Sequence, residues 1–317
     1  MRDTWLTLNP HALTQNLAVL RAHHPRSQVI AMDYDADGDE DLFVTGRVVP
    51  GKYPLSPSSM LLENDGLGKF TDKTKLLAGF FLSLGMITDA KWADINGDKK
   101  NELIISGEWM SLMAFSYEMG KFNDISTKVF PKKYSGWWNR MELADLDKDG
   151  DLDLIAGNWG TNSQLKASDS TPVTLYYGDF DNNGYIDPLL CYYIQGKSYP
   201  MASRDEITDQ MVSLRQKFPT YDSYADAALE DILTEDQIKN AKILSANFLH
   251  TAWFENINGN FVMHEFPIEA DFSLVQSIYT DDFNHDGFTD ILLAGNADQM
   301  RIKIGKMDAN YGTVLVG

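Results

Sequence analysis

The sequence predicts an all-β chain assembled from repeated four-stranded antiparallel units, interrupted by a small α-helical insertion at about residues 203–242. Three observations predict it. An acidic loop of fixed spacing recurs five times, flanked by short strand-like runs such as "VIAMD" and "DLFVTG". Glycine-centred hairpin turns follow at "NDGLGKFTD" (64–72), "MGKFNDIS" (119–126) and "NINGNFVMHEF" (256–266). Between Ser203 and Lys242 the apolar spacing changes to a helical one.

The first loop, in "AMDYDADGDEDLFVTG", crowds carboxylates into one turn, with Asp33, Asp35, Asp37 and Asp41 at positions 1, 3, 5 and 9. Like charges this close repel, and a bound cation removes the conflict. Gly38 at position 6 permits the turn, and Asp39 at position 7 offers its carbonyl. Hard oxygen donors around a tight turn suit calcium. The second copy offers Asp94, Asn96, Asp98 and Glu102, with Lys100 at position 7. The third offers Asp145, Asp147, Asp149 and Asp153, with Asp151 at position 7. The fourth offers Asp179, Asp181, Asn183 and Asp187, with Tyr185, and the fifth Asp282, Asn284, Asp286 and Asp290, with Phe288. Position 6 is glycine in every copy but the second, where Lys99 is expected to strain or reshape the turn. Pro188, just after the fourth loop, suggests an edge strand or a distorted unit.

An EF-hand shares this opening but needs a carboxylate at position 12 and flanking helices. Position 12 is Val44, Ile105, Ala156, Leu190 and Leu293, so the loops belong at the tips of β-hairpins. On these residues the chain resembles the FG-GAP/VCBS repeat family, known from the β-propeller heads of integrin α subunits. Among bacterial versions it looks most like secreted proteins that carry such repeats beside an ASPIC/UnbV module, the group that includes cartilage acidic protein-like sequences. The resemblance implies a β-propeller of four-stranded blades over residues 29–317, after a lead-in at 1–28, with up to five Ca²⁺ sites. It also implies an extracytoplasmic binding or adhesion scaffold with a protein or glycan ligand.

Composition fits this expectation. A 317-residue chain that is 44% hydrophobic and 12% aromatic buries a large core, and much of its formal charge of −19 sits at the ligand positions. The 27 Lys and Arg form no stripe that would neutralise phosphates, which disfavours nucleic acid. The lone Cys191 makes no internal disulfide and is expected to be a small buried residue. Residues 1–28 lack the uninterrupted apolar core of a signal peptide, and the longest apolar run, Leu76 to Ile87, is too short to span a bilayer. Calcium loops of modest affinity belong where calcium is millimolar, so an exported location without a signal peptide suggests a chain that begins partway through a longer one. The last copy stops at "YGTVLVG", where a third strand should turn into a fourth, which predicts an incomplete propeller.

The loops start at residues 33, 94, 145, 179 and 282, giving intervals of 61, 51, 34 and 103 residues. The first two suit one blade each, the third is too short for a blade, and the fourth contains the insertion, so four to five blade equivalents are expected. Within the insertion, Ile207, Met211, Leu214 and Phe218 recur at helical spacing, and "TEDQ" (234–237) is a capping box. These helices either cover an edge or a mouth of the disc or offer a partner surface. Trp137 and Trp138 suggest a sugar-stacking platform, though Trp92, Trp109, Trp159 and Trp253 favour packing between blades.

Catalytic signatures are not found. The histidines, His11, His23, His24, His250, His264 and His285, form no HExxH, and no GxSxG elbow occurs. The expected role is therefore a calcium-stabilised binding scaffold rather than an enzyme. The alternative is a glycan- or phosphoester-acting enzyme with its site in the propeller channel or under the helical insertion.

Overall fold

The structure, a computed structural model, describes residues 27–298, 300 and 303–317. All but the last two residues of the 1–28 lead-in, His11, His23 and His24 included, fall outside them. Strand follows strand through the first sheet: β1 (Ser27–Met32), β2 (Asp41–Gly46), β3 (Met60–Asn64) and β4 (Phe70–Asp72) pair antiparallel in chain order. The second sheet repeats this with β5 (Met86–Ala93), β6 (Glu102–Ser111), β7 (Met113–Glu118) and β8 (Lys121–Asp124). A short β9 (Ser135–Trp137) pairs with the far end of β6.

The third sheet opens with β10 (Arg140–Ala144) and β11 (Asp153–Gly157), and the chain then leaves it. A separate sheet forms from β12 (Val173–Gly178), β13 (Asp187–Ile194), β14 (Lys197–Pro200) and β15 (Lys242–Ala246), in the order β14-β13-β12-β15. Only afterwards do β16 (Ala252–Ile257) and β17 (Asn260–Glu265) complete the third sheet, β16 pairing with β11. Last come β18 (Ser277–Asp281), β19 (Asp290–Ala294) and β20 (Thr313–Leu315) in a three-stranded sheet.

First strands of successive sheets are neighbours: β1 lies against β5, β5 against β10, and β10 against β18. That is how propeller blades stand around an axis, and the chain is an all-β, blade-built fold. Strand alternation buries apolar side chains between the sheets. Met32, Phe43, Leu61, Ile87, Leu103 and Phe115 fill the space between the first and second, and Ile104, Met141, Leu154 and Phe254 that between the second and third.

The inserted material differs from the expectation. It is not 203–242 alone: a whole sheet stands between β11 and β16, and helices Arg204–Gln210, Leu214–Lys217, Leu229–Ile232 and Glu235–Asn240 are nested between its β14 and β15. The short 34-residue interval arises because the fourth loop belongs to this inserted sheet rather than to the next blade in line. Capping boxes at Ser203 and Thr234 start two of the helices. Ile207, Met211, Leu214 and Phe218 pack on Leu189 and Cys191, so the helices cover one face of their own sheet. Burial pushes the Cys191 thiol up to about 12. Pro188 lies in an internal strand, but at its first turn, where only β12 pairs with it and β14 has not yet begun, so its missing N–H breaks no ladder.

The two connections to the inserted sheet run side by side. Gly160 N–H donates to Leu249 O (2.8 Å), Asn158 Nδ2 donates to Phe248 O (3.1 Å), and Asn158 Oδ1 accepts from Trp137 N (3.0 Å). Gly136 of β9 lies against both, and a Cβ there would come within 2.7 Å of Asn158 Nδ2 and of Phe248 O. Buried Asp271 closes the junction, accepting from Thr251 N (2.8 Å) and pairing with His250 Nδ1 (2.6 Å). No helix among the described residues is long and apolar enough to cross a membrane.

Candidate metal centres in the hairpin loops

Each acidic loop joins the first two strands of a sheet, or, in the inserted sheet, β12 to β13. All five share one backbone form. Positions 4 and 6 are left-handed throughout: φ is 62° at Ala36 and 97° at Gly38, 65° at Lys148 and 96° at Gly150, 59° at Asn182 and 85° at Gly184, and 61° at His285 and 86° at Gly287. The second loop keeps the form with its residues exchanged, Gly97 at position 4 (78°) and Lys99 at position 6 (68°). The lysine therefore strains the turn without reshaping it.

Side chains lock this form in the same way each time. The position 1 carboxylate accepts from the position 6 amide: Gly38 N to Asp33 (3.1 Å), Lys99 N to Asp94 (2.8 Å), Gly150 N to Asp145 (3.2 Å), Gly184 N to Asp179 (2.9 Å) and Gly287 N to Asp282 (2.9 Å). Position 5 (Asp37, Asp98, Asp149, Asn183 or Asp286) accepts from the position 7 amide. Position 9 (Asp41, Glu102, Asp153, Asp187 or Asp290) is buried and accepts from the position 2 amide.

Position 9 also does something its spacing did not announce. The second oxygen of Asp41 accepts from Asn64 N at the end of β3 (2.8 Å), that of Asp153 from Asn256 N in β16 (2.8 Å), and that of Asp290 from Gly317 N beyond β20 (2.9 Å). One carboxylate thus ties the loop to the third strand of its sheet, even where that strand comes 103 residues later. Desolvation raises the Asp41 and Glu102 carboxyls to about 7 against the backbone donors that hold them down.

The loops diverge in what remains for a cation. Three bring three carboxylates to within 4.8 Å: Asp33, Asp35 and Asp37; Asp145, Asp147 and Asp153; Asp179, Asp181 and Asp187. In the first and third, buried oxygens lack any hydrogen-bond partner: Asp33 Oδ1, Asp35 Oδ1, Asp39 Oδ1 and Asp151 Oδ1. Burial and the neighbouring Asp37 raise Asp35, and burial and Asp149 raise Asp151 to about 6. An orphaned carboxylate oxygen beside other carboxylates is the donor a divalent cation satisfies, so these residues fit calcium.

The second and fifth loops supply their own donors. Asn96 Nδ2 donates to Glu102 Oε1 (2.8 Å) and Asn284 Nδ2 to Asp286 Oδ2 (2.8 Å). Lys148 of the third loop lies near Asp286 and lowers its carboxyl, behind the bonds from Phe288 N and Asn284. At position 7, the side chains of Lys100, Tyr185 and Phe288 are exposed, whereas Asp39 and Asp151 carry the orphaned carboxylate oxygens. A second acid at position 7 was the available signal for those two loops.

Trp137 and Trp138 do not form one platform. Trp138, just past the end of β9, is fully buried between the second and third sheets, while Trp137 lines a cavity with Trp109 and Trp159.

A family model described as an FG-GAP-like repeat matches residues 33–105 and again 94–156. Each match starts at position 1 of one loop and ends in the strand after the next, so the chain carries FG-GAP-like repeats across its first three loops. A T-cell immunomodulatory protein of Mus musculus is 25% identical over 237 residues, 67% of this chain. The chain spans 38% of that relative's length.

Proposed function

We infer that the protein is a calcium-stabilised β-propeller scaffold that binds a protein or glycan outside the cytoplasm. The observation that carries the calcium reading is the set of buried, unpartnered carboxylate oxygens in the first and third loops. Asp33, Asp35, Asp37 and Asp39 would hold one ion, Asp145, Asp147, Asp151 and Asp153 a second, and Asp179, Asp181 and Asp187 a third. The ion supplies charge neutralisation, and the chain supplies a turn already shaped by its own hydrogen bonds. Binding free energy at such a loop becomes folding free energy. The repeat match and the relative support a binding role rather than catalysis, and loops of this kind fill at the millimolar calcium found outside cells.

Thermal melting tests the reading. Chelator should lower the melting temperature and calcium, but not an equal concentration of magnesium, should restore it, because magnesium demands a near-ideal octahedron at shorter distances and gives up its water reluctantly. Identical melting curves with chelator and with calcium would rule the reading out.

A further inference from the structure

Away from the loops, the ends of the first and second sheets, the inserted sheet and the connection after β11 enclose a cavity of about 340 Å³. One side is Tyr53, Trp109, Trp137 and Trp159, with Glu108 and Arg47 among them, and the other is apolar, Leu190 and Met201 included. Trp137 stands at 81° to Trp109 and at 74° to Trp159, with ring centroids 4.8 and 4.6 Å apart, so indoles meet at right angles around one space.

The chain distorts itself to build this wall. Adjacent strand residues should face opposite sides, yet Glu108 and Trp109 both line the cavity. A bulge between Glu108 and Met110 in the β6–β9 pairing, with Trp109 at φ 59°, accomplishes it. Bulky residues rarely adopt that conformation, and such strain and bulges gather at ligand sites. Trp109 Nε1 donates to Tyr53 Oη (2.8 Å), which fixes that ring. Trp137 is 7% exposed and its Nε1 has no hydrogen-bond partner among the described residues. Glu108 is ion-paired to Arg47 and itself mostly buried.

We propose that this cavity binds a neutral sugar ring. Indole faces suit the flat C–H side of a pyranose. The Glu108 carboxylate and the Arg47 guanidinium set an acceptor beside a fork of donors, which matches vicinal hydroxyls that each donate and accept. Arg47 disfavours a cationic guest and Glu108 an anionic one. The volume lies at the small end for ligand pockets, which fits one or two sugar rings. This names the ligand class for the binding role inferred above, and its test uses calcium-saturated protein so that loss of fold and loss of sugar binding are read separately.

The full chain in calcium is titrated with the methyl glycosides of glucose, galactose, mannose, fucose and N-acetylglucosamine, followed by saturation-transfer NMR and tryptophan fluorescence. At least one should bind saturably, and Trp159→Ala should weaken it by roughly tenfold, the loss of one stacking face. Glu108→Gln keeps the volume and serves as the second variant; it should weaken binding with the melting temperature read in parallel. Failure of every glycoside to saturate, binding unaffected by both variants, or stronger binding of choline than of any glycoside would overturn the proposal.

Discussion

The third and fifth loops have the same turn, the same buried position 9 aspartate and the same tie to a third strand, but they balance their charge differently. In the third, Asp147 sits at position 3 and a buried Asp151 oxygen has no partner. In the fifth, Asn284 at position 3 donates to Asp286, and Lys148 from the neighbouring loop lies over the Phe288 ring at 3.7 Å. Position 3 changes from carboxylate to amide and position 7 from Asp151 to Phe288, and a loop with an orphaned carboxylate oxygen becomes one that supplies its own donor. The backbone form and the supply of unpartnered carboxylate oxygens are therefore separable properties of the same motif.

That separation can be broken most severely at position 9. Asp153→Ala removes the acceptor for Leu146 N and Asn256 N, leaving two buried donors unpaired, and should cost about 3 kcal/mol already in chelator and more in calcium, where a ligand is lost as well. Chemical denaturation in calcium and in chelator checks it, and a loss confined to calcium would merge the two properties again. Asp147→Ala should behave oppositely, costing about 2–3 kcal/mol in calcium a hundredfold above Kd and little in chelator. Asn96→Ala in the second loop removes the amide donor to Glu102 and the acceptor for Asp98 N, and should cost about 1–2 kcal/mol regardless of calcium. Lys99→Gly relieves a left-handed residue and should stabilise by about 0.5–1 kcal/mol, seen as a raised denaturation midpoint.

The smallest effect concerns the junction of the inserted sheet. The hydrogen bond to Asp271 raises the His250 imidazole above its ordinary value. A raised folded pKa contributes stability that is fully present below the unfolded value, about 6.5, and lost as pH rises through the folded one. His250→Gln should therefore destabilise more at pH 6 than at pH 8.5, by under about 1 kcal/mol because the ring is partly exposed. Equal losses at both pH values would remove the ion pair from the account.

Blade construction was legible in the sequence because loop spacing and strand alternation are local. The five loops fall on five hairpins, and the helices of 203–242 fall where their spacing puts them. Pairing between distant strands was not legible: nothing in β11 states that its partner is β16 rather than β12, since both are short apolar strands. The roles of Asn96 and Asn284 were equally hidden, because an amide counts as an oxygen donor in a motif and becomes a nitrogen donor only when a carboxylate faces it. The Trp109 bulge is likewise a consequence of pairing with β9 and leaves no mark in spacing.

Counting bound calcium tests the central claim most directly. Equilibrium dialysis of the chelator-stripped full chain should reveal a tight class filled by the first, third and fourth loops, three ions per chain. Asp147→Ala should lower that count by one and Asp98→Ala should leave it unchanged. Five equivalent sites, or a count unmoved by Asp147→Ala, would contradict the account.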